Sequence, residues 1–333
     1  MNCDRGGSNM RKSSEVRSFT PTKDNLNKGT SPLTYHYTSP HGAKAIISSN
    51  SIRFTDCQFM NDKSEYVHIQ KPLLTALEQI ENELYDDSIK DTVINMFNDN
   101  YETERMVITM RPDIKTKLQI IKQRYYIFCT TSLKDSLNMW NYYVKDGNYQ
   151  GYNLGLQINH IIKSFSRLDD ENITLFYGNV IYKDTEKIEY LKSRILSIDQ
   201  TLKTRIENEK EQEDYPGEIY DLAKGELLDF IETARLFFKD ESFINESEYR
   251  FIIKLPKDYN ETSHPVLNNG YDVRGGIIVP HCILNVDKSV FKSIVISPIL
   301  EKELAEQGFQ RFLHSCNYEN KLEILQSKIP IRY

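Results

Sequence analysis

Strand-forming and helix-forming stretches come in blocks along this chain, not one by one. Residues 33–38 (LTYHYT) read as a strand, because Tyr35 and Tyr37 alternate with Thr34, His36 and Thr38, which puts His36 and Thr38 on one face. Ser39 as N-cap and Pro40 at the first helical position then start a helix with Ala43, Ile46 and Ile47 as its apolar stripe. That helix stops at SSN, and SIRFTD (51–56) is a second short strand. A first helical block follows. Asp62 with Glu65 forms a capping-box variant, Leu73, Leu74, Leu77 and Ile80 keep helical spacing despite Pro72, and a further helix is expected over 87–123. Strands return with RYYIFCTTS (124–132), with the aromatic runs of 138–158, whose break at Asp146-Gly147-Asn148 predicts a hairpin, and with LFYGNVIY (175–182). A second helical block spans 185–238. The last third alternates EYRFIIKLP, GGIIVP and FKSIVISP with turns, adds a helix near 300–307, and ends in LEILQSKIPIRY. Strands that flank two helical blocks predict an α+β fold, not a repeating βαβ sheet.

A chain of 333 residues with 39% hydrophobic content can bury a sizeable core plus an inserted helical lobe. Residues 1–30, rich in Ser, Asn, Lys and Gly, are expected to be a flexible arm. Residues 31–333 then form a single domain with helical insertions at about 62–123 and 185–238. The absence of GxGxxG after a strand and of GxxxxGK[ST] argues against dinucleotide-fold and P-loop chemistry. Five scattered cysteines without a CxxC pair, and seven histidines without ligand spacing, predict neither disulfides nor a metal site. No membrane span or secretory apolar stretch is visible, so a cytoplasmic protein is the expectation.

Net charge is −6, but it is unevenly spread. Residues 105–126 carry Arg105, Arg111, Lys115, Lys117, Lys122 and Arg124 against Asp113 alone, whereas 206–232 carry ten acids and two lysines. One reading is a basic face for an anionic ligand and an acidic lobe for a partner; the other is two solvated helix faces of opposite sign.

The stretch FFKDESFINESEYRFIIK (237–254) places Glu246 and Glu248 two residues apart at a strand entrance, so both carboxylates point to one face. Paired acids can take different pKa values and stabilise an oxocarbenium-like centre. The plainer alternative is a charged strand start with Arg250 as the partner. Cys129 beside Thr130 and Thr131 reads as a strand cysteine and not as a nucleophile.

YHYTS at 35–39, SIRFTD, the MND-x-x-E segment at Asn61, Asp62 and Glu65, the FCTTS strand, Trp140 and the segment ending in Arg250 together resemble a bacterial family of unknown function (domain of unknown function 2971). That family in turn resembles the ADP-ribosyltransferase fold, a split β-sheet core, and some members are suspected phage-defence toxins. The resemblance implies an NAD-dependent ADP-ribosyltransferase toxin of a phage-defence or toxin–antitoxin system, with NAD as donor, no metal, and an antitoxin protein as a further partner. It implies NAD contacts from His36, Tyr37 and Thr38, with Arg53 at the diphosphate. Trp140, Tyr142 and Tyr143 stand in the aromatic stretch that would stack on nicotinamide. Glu248 would hold the ribose and stabilise the cation, and Glu246 would orient the nucleophile. The basic run at 105–126 and the rings of Tyr125, Tyr126, Tyr142 and Tyr143 favour RNA as acceptor over protein. The competing reading is a non-catalytic nucleotide-sensing or scaffold module of a defence complex.

Overall fold

The computed structural model describes residues 15–19, 32–60, 69–98, 104–107, 119–144, 149–168, 170, 172–209, 216–256, 266–318 and 322–330. Its spine is β5 (Gln119–Thr131), rich in aromatic and β-branched residues. Along one edge β5 pairs antiparallel with β8 (Glu248–Pro256), from Gln123↔Pro256 to Thr131↔Glu248. Its other edge is shared between two strands. β3 (Ser51–Asp56) takes Ile127 and Tyr126, whereas β2 (Leu33–Thr38) takes Thr131 alone, through Tyr35. Residues 128–130 lie between the two ladders, so the sheet forks there. Inside the fork, Thr34 Oγ1 donates to Thr130 Oγ1, and His36 Nδ1 stands 3.2 Å from the Cys129 carbonyl oxygen.

From the fork one branch continues through β2 to β6 (Tyr152–Gln157), β11 (Phe291–Ile296) and β12 (Glu323–Gln326). The other runs through β3 to β10 (Ile277–Asn285) and β9 (Leu267–Arg274). On the far side β8 pairs with β7 (Thr174–Asn179), which pairs in parallel with β1 (Glu15–Ser18). The architecture is α+β, a curled mixed sheet with helices on it.

Both faces of the sheet are covered. On one, α1 (Pro40–Ser49), α5 (Ile158–Phe165) and α8 (Lys302–Ser315) enclose a core that includes Ile47, Phe54, Phe165, Phe251 and Leu284. On the other, α2 (Gln70–Ile80), α3 (Asp87–Asn98), α6 (Asp184–Glu209) and α7 (Pro216–Ala234) pack on Tyr125, Ile127, Phe176 and Ile252. Two-sided cover is why β8 is buried from Glu248 through Leu255 without alternation. A third cluster joins Tyr37 and Val295 to Met139, Trp140 and Val144 of α4 (Leu137–Val144).

Several expectations need correction. The arm is not loose throughout: Glu15–Ser18 extend the sheet, and Phe19, 7% exposed, stacks on Phe237 at 4.1 Å. The helix expected over 87–123 ends at Asn98, and Glu104–Val107 form β4, which pairs with residues 119–122 of β5. The first helical insertion is correspondingly shorter. The aromatic run before Asp146 is not a hairpin arm but helix α4, because Trp140 and Val144, four apart, bury one helical stripe and leave Tyr142 and Tyr143 outside. Asp146, Gly147 and Asn148, like Asp62 and Glu65, lie outside the described residues. Strand β9 was not expected, and α8 runs past residue 307 to Ser315.

Candidate functional site

After α7 the chain returns to the sheet through Ile181↔Phe238, a parallel bridge, and then makes a 3-10 segment, Glu241–Glu246. Asp240 caps it by accepting from Ser242 N. Ser247 ends it in the left-handed region at φ +42°, and β8 starts at once. Thr131 Oγ1 donates to the Glu246 carbonyl and Ser132 N to that of Ser247, so the end of β5 holds this corner. Strand alternation is thus suspended for one residue, and Glu246 and Glu248 arrive side by side, 7% and 4% exposed.

Two buried cations meet them. Lys239 Nζ stands 2.7 Å from Glu246 Oε2 and 3.2 Å from Glu248 Oε1. Arg250 holds Glu248 Oε2 through Nε at 2.8 Å and Nη2 at 2.7 Å, and its Nη1 donates to the Leu236 carbonyl at 2.6 Å. The Glu248 amide donates to the Tyr182 hydroxyl at 2.8 Å. The four formal charges cancel, which is the condition for burying them. Burial raises the Glu246 pKa above the usual carboxylate range. Burial would also raise that of Glu248, but Arg250 and Lys239 outweigh it and hold it low. For Lys239, burial is likewise outweighed by Glu248 and Glu246, so its pKa is raised. The pair therefore splits into a carboxylate that keeps its charge and a neighbour that takes a proton more readily.

Two aromatic rings rim this quartet. Tyr143, on α4, is 45% exposed, yet its hydroxyl lies 3.4 Å from Glu246 Oε2. Burial of that hydroxyl, then Glu248 and Glu246, raise its pKa. Phe243, 39% exposed, carries Lys239 Nζ 4.6 Å from its ring centroid. Two partly exposed rings thus border a buried, charge-balanced quartet.

Of the residues singled out in the sequence, Tyr143, Glu246, Glu248 and Arg250 come together here. In-register partners share a face, so Tyr35, Thr131 and Glu248 look one way, while His36, with Thr130 and Phe128, looks the other. The His36 ring lies 4.9 Å from that of Phe128, and burial, with Arg53 adding to it, pushes its pKa down to about 4. Thr38 shares that second face. Arg53 is taken by Asp272 at 2.6 Å. Tyr37 and Trp140 have no open face for a ligand. Tyr37, 4% exposed, donates to the Leu133 carbonyl and packs edge-on against Trp140, which is fully buried and donates to Asp135. Tyr142 is 55% exposed. Tyr125 and Tyr126 are core residues at 4% and 1% exposure, so neither can stack a base. Lys115 and Lys117 lie outside the described residues, as does the side chain of Lys122. A cavity of about 250 Å³, lined in part by Asp56, Arg124, Tyr126 and Tyr271, sits beside the middle of β5, about 20 Å from Thr131 at ~3.3 Å per residue.

Lys239, Tyr182 and Phe243 were missed by sequence reasoning. Lys239 stands within the same quoted stretch, seven residues before Glu246, but the 3-10 segment that folds it back has no periodic signature. Among the described residues no group of His, Cys, Asp or Glu could hold a metal ion, and no helix is long and apolar enough to cross a membrane. No curated protein and no solved structure matches the chain. One family model does: residues 139–251, from α4 to the first turn of β8 and so including every member of the charged quartet, match a protein family of unknown function, DUF2971.

Proposed function

We propose that the Tyr143–Glu246–Glu248 site takes NAD and passes ADP-ribose to a macromolecular acceptor, as a bacterial toxin or phage-defence enzyme would. The observation that carries this reading is the half-exposed Tyr143 ring with its hydroxyl on Glu246, because it joins an open aromatic face to two carboxylates of opposite pKa shift. Nicotinamide needs a ring to stack on, and the departing bond needs a fixed negative charge. In this reading the bond between nicotinamide nitrogen and the ribose anomeric carbon breaks, and its electron pair leaves with nicotinamide. Glu248, kept ionised by Arg250 and Lys239, faces the positive charge left on the sugar. The acceptor's nucleophile bonds to that carbon and gives its proton to Glu246. His36 and Arg53 have no part in this scheme, since they occupy other ground.

A second reading has its own observation: both oxygens of Glu248 are already engaged by Lys239 and Arg250. That favours a non-catalytic module that binds a nucleotide without cleaving it. Nicotinamide release from labelled NAD, with and without bacterial RNA and protein, separates the two. The enzyme reading expects release that falls about 10²-fold or more in Glu248→Gln, the scale of a lost transition-state charge contact. It also expects weaker NAD binding in Tyr143→Ala. Bound but intact NAD would establish the module instead, and no binding at all would end both.

A further inference from the structure

The ribbon of β9 and β10 turns through Gly275 and Gly276, at φ +55° and +81°, a two-residue turn whose twist suits the strands it joins. Along its inner edge β9 is paired from Leu267 to Arg274. Among the described residues its outer edge meets no strand. Large apolar side chains crowd the tip: Tyr271 is 72% exposed, Val273 69%, Ile278 65% and Ile277 59%. The register sets Val273 beside Ile278 and Tyr271 beside Pro280, so one face of the ribbon is an apolar strip in water. An open strand edge next to such a strip is a template for another strand.

We propose that β9 pairs antiparallel with β9 of a second copy of this chain, about a two-fold axis at Val273. The edge reads Asp272-Val273-Arg274, one charge of each sign around an apolar residue. An antiparallel strand that complements it carries the charges in this same order, and the chain itself supplies such a strand. In the proposed register Asp272 lies opposite the partner's Arg274, Arg274 opposite the partner's Asp272, and the two Val273 side chains meet on the axis. Opposite-charge and β-branched cross-strand pairs are both stabilising contacts. The Tyr271 ring falls across the partner's Gly275, where no side chain blocks it. Asp272 accepts from Arg53 through Oδ2 and from the Val273 amide through Oδ1; on pairing, that amide turns to the partner strand and frees Oδ1 for the partner's Arg274, while Arg274 holds Thr55 Oγ1 only at the long distance of 3.5 Å. A partner strand with a single sign of charge would leave one of the two facing its like.

Sedimentation velocity across a wide concentration series tests this. The wild-type chain should dimerise, and Val273→Asp, which places two like charges on the axis at an exposed position, should be monomeric with an unchanged circular-dichroism spectrum. Val273→Cys should form a disulfide-linked dimer under mild oxidation, because side chains directly opposite across antiparallel strands lie within about 5.5 Å. Tyr271→Cys and the wild type should not cross-link. A wild-type monomer at every concentration, a dimer that survives Val273→Asp, or cross-linking at 271 but not 273 would each overturn the proposal.

Discussion

Lys239 shows how much one unremarkable residue can decide. It neutralises two carboxylates at once, and removing a partner from a buried ion pair leaves a charge without compensation. Lys239→Met should therefore cost about 3–5 kcal/mol in urea unfolding. Tyr143→Phe, which removes a long 3.4 Å bond from a half-exposed ring, should stay within about 0.5 kcal/mol. The contrast matters for any activity assay, since loss in Tyr143→Phe cannot be blamed on unfolding. His36 makes a separate prediction. Its folded pKa of about 4 lies below the ordinary value of 6.5, so the folded state prefers the neutral ring. The stability this gives is complete above about pH 6.5 and is lost as pH falls toward 4, where the unfolded chain binds a proton and the folded chain does not. His36→Gln, able to keep the bond to Cys129, should flatten the wild-type pH dependence of the unfolding midpoint in that window. The carboxylates themselves were legible in the sequence, being two residues apart in front of a strand. Arg250 was legible as their partner in the plainer reading, but Lys239 and the meeting of Tyr143 with Glu246 were not, because their approach depends on the turn at Ser247 and on a helix from another part of the chain.

Short-range patterns were read correctly where an element makes its own case. Helix α1 is capped by Ser39, which accepts from Gly42 N, and it ends at Asn50 in the left-handed region, as PHGAKAIISSN suggests. Reading failed where packing overrode propensity. The tyrosines and tryptophan of α4 are strand formers by type, but burial of Trp140 and Val144 on one stripe selects the helix. The docked N-terminal strand was hidden for another reason, since EVRSF is too short and polar to announce itself and gains its place by extending β7. Its anchor is testable: Phe19→Ala should cost about 3 kcal/mol, the lower end for a buried phenylalanine. Deleting residues 1–19 should cost more than deleting 1–14. A different element is sensitive to a single methyl group. A Cβ on Gly155, in the middle of β6, would lie 2.2 Å from Ser293 Oγ and 3.3 Å from the Tyr35 ring. Gly155→Ala should lower the melting temperature, whereas an alanine at exposed Gly308, which meets nothing within 4 Å, should leave it unchanged or raise it.

The α+β order of blocks was visible from the sequence, but the joining of the blocks was not, because the β5 edge is divided between two strands and no local pattern records that division. Its energetic result is that the two large cores share their strands. Tyr126 and Phe128 of β5 face one core while Tyr125 and Ile127 face the other, and β8 alternates in the same way. Neither core can be lost without unsheltering the back of the other, so unfolding should be one cooperative step. Fluorescence of the single Trp140, in the third cluster, and far-ultraviolet circular dichroism, dominated by the helices, should give coincident urea transitions. The return of the chain at Ile181 and Phe238 has a consequence of another kind. β7 and β8 are direct neighbours, and everything from Asp184 to Ala234 leaves and re-enters the sheet through one bridge. To the sheet this excursion is topologically a hairpin loop. Its length and content are free to drift over evolutionary time, or to be exchanged wholesale by recombination at that bridge, provided that the newcomer still shelters Phe176 and Ile252 from water.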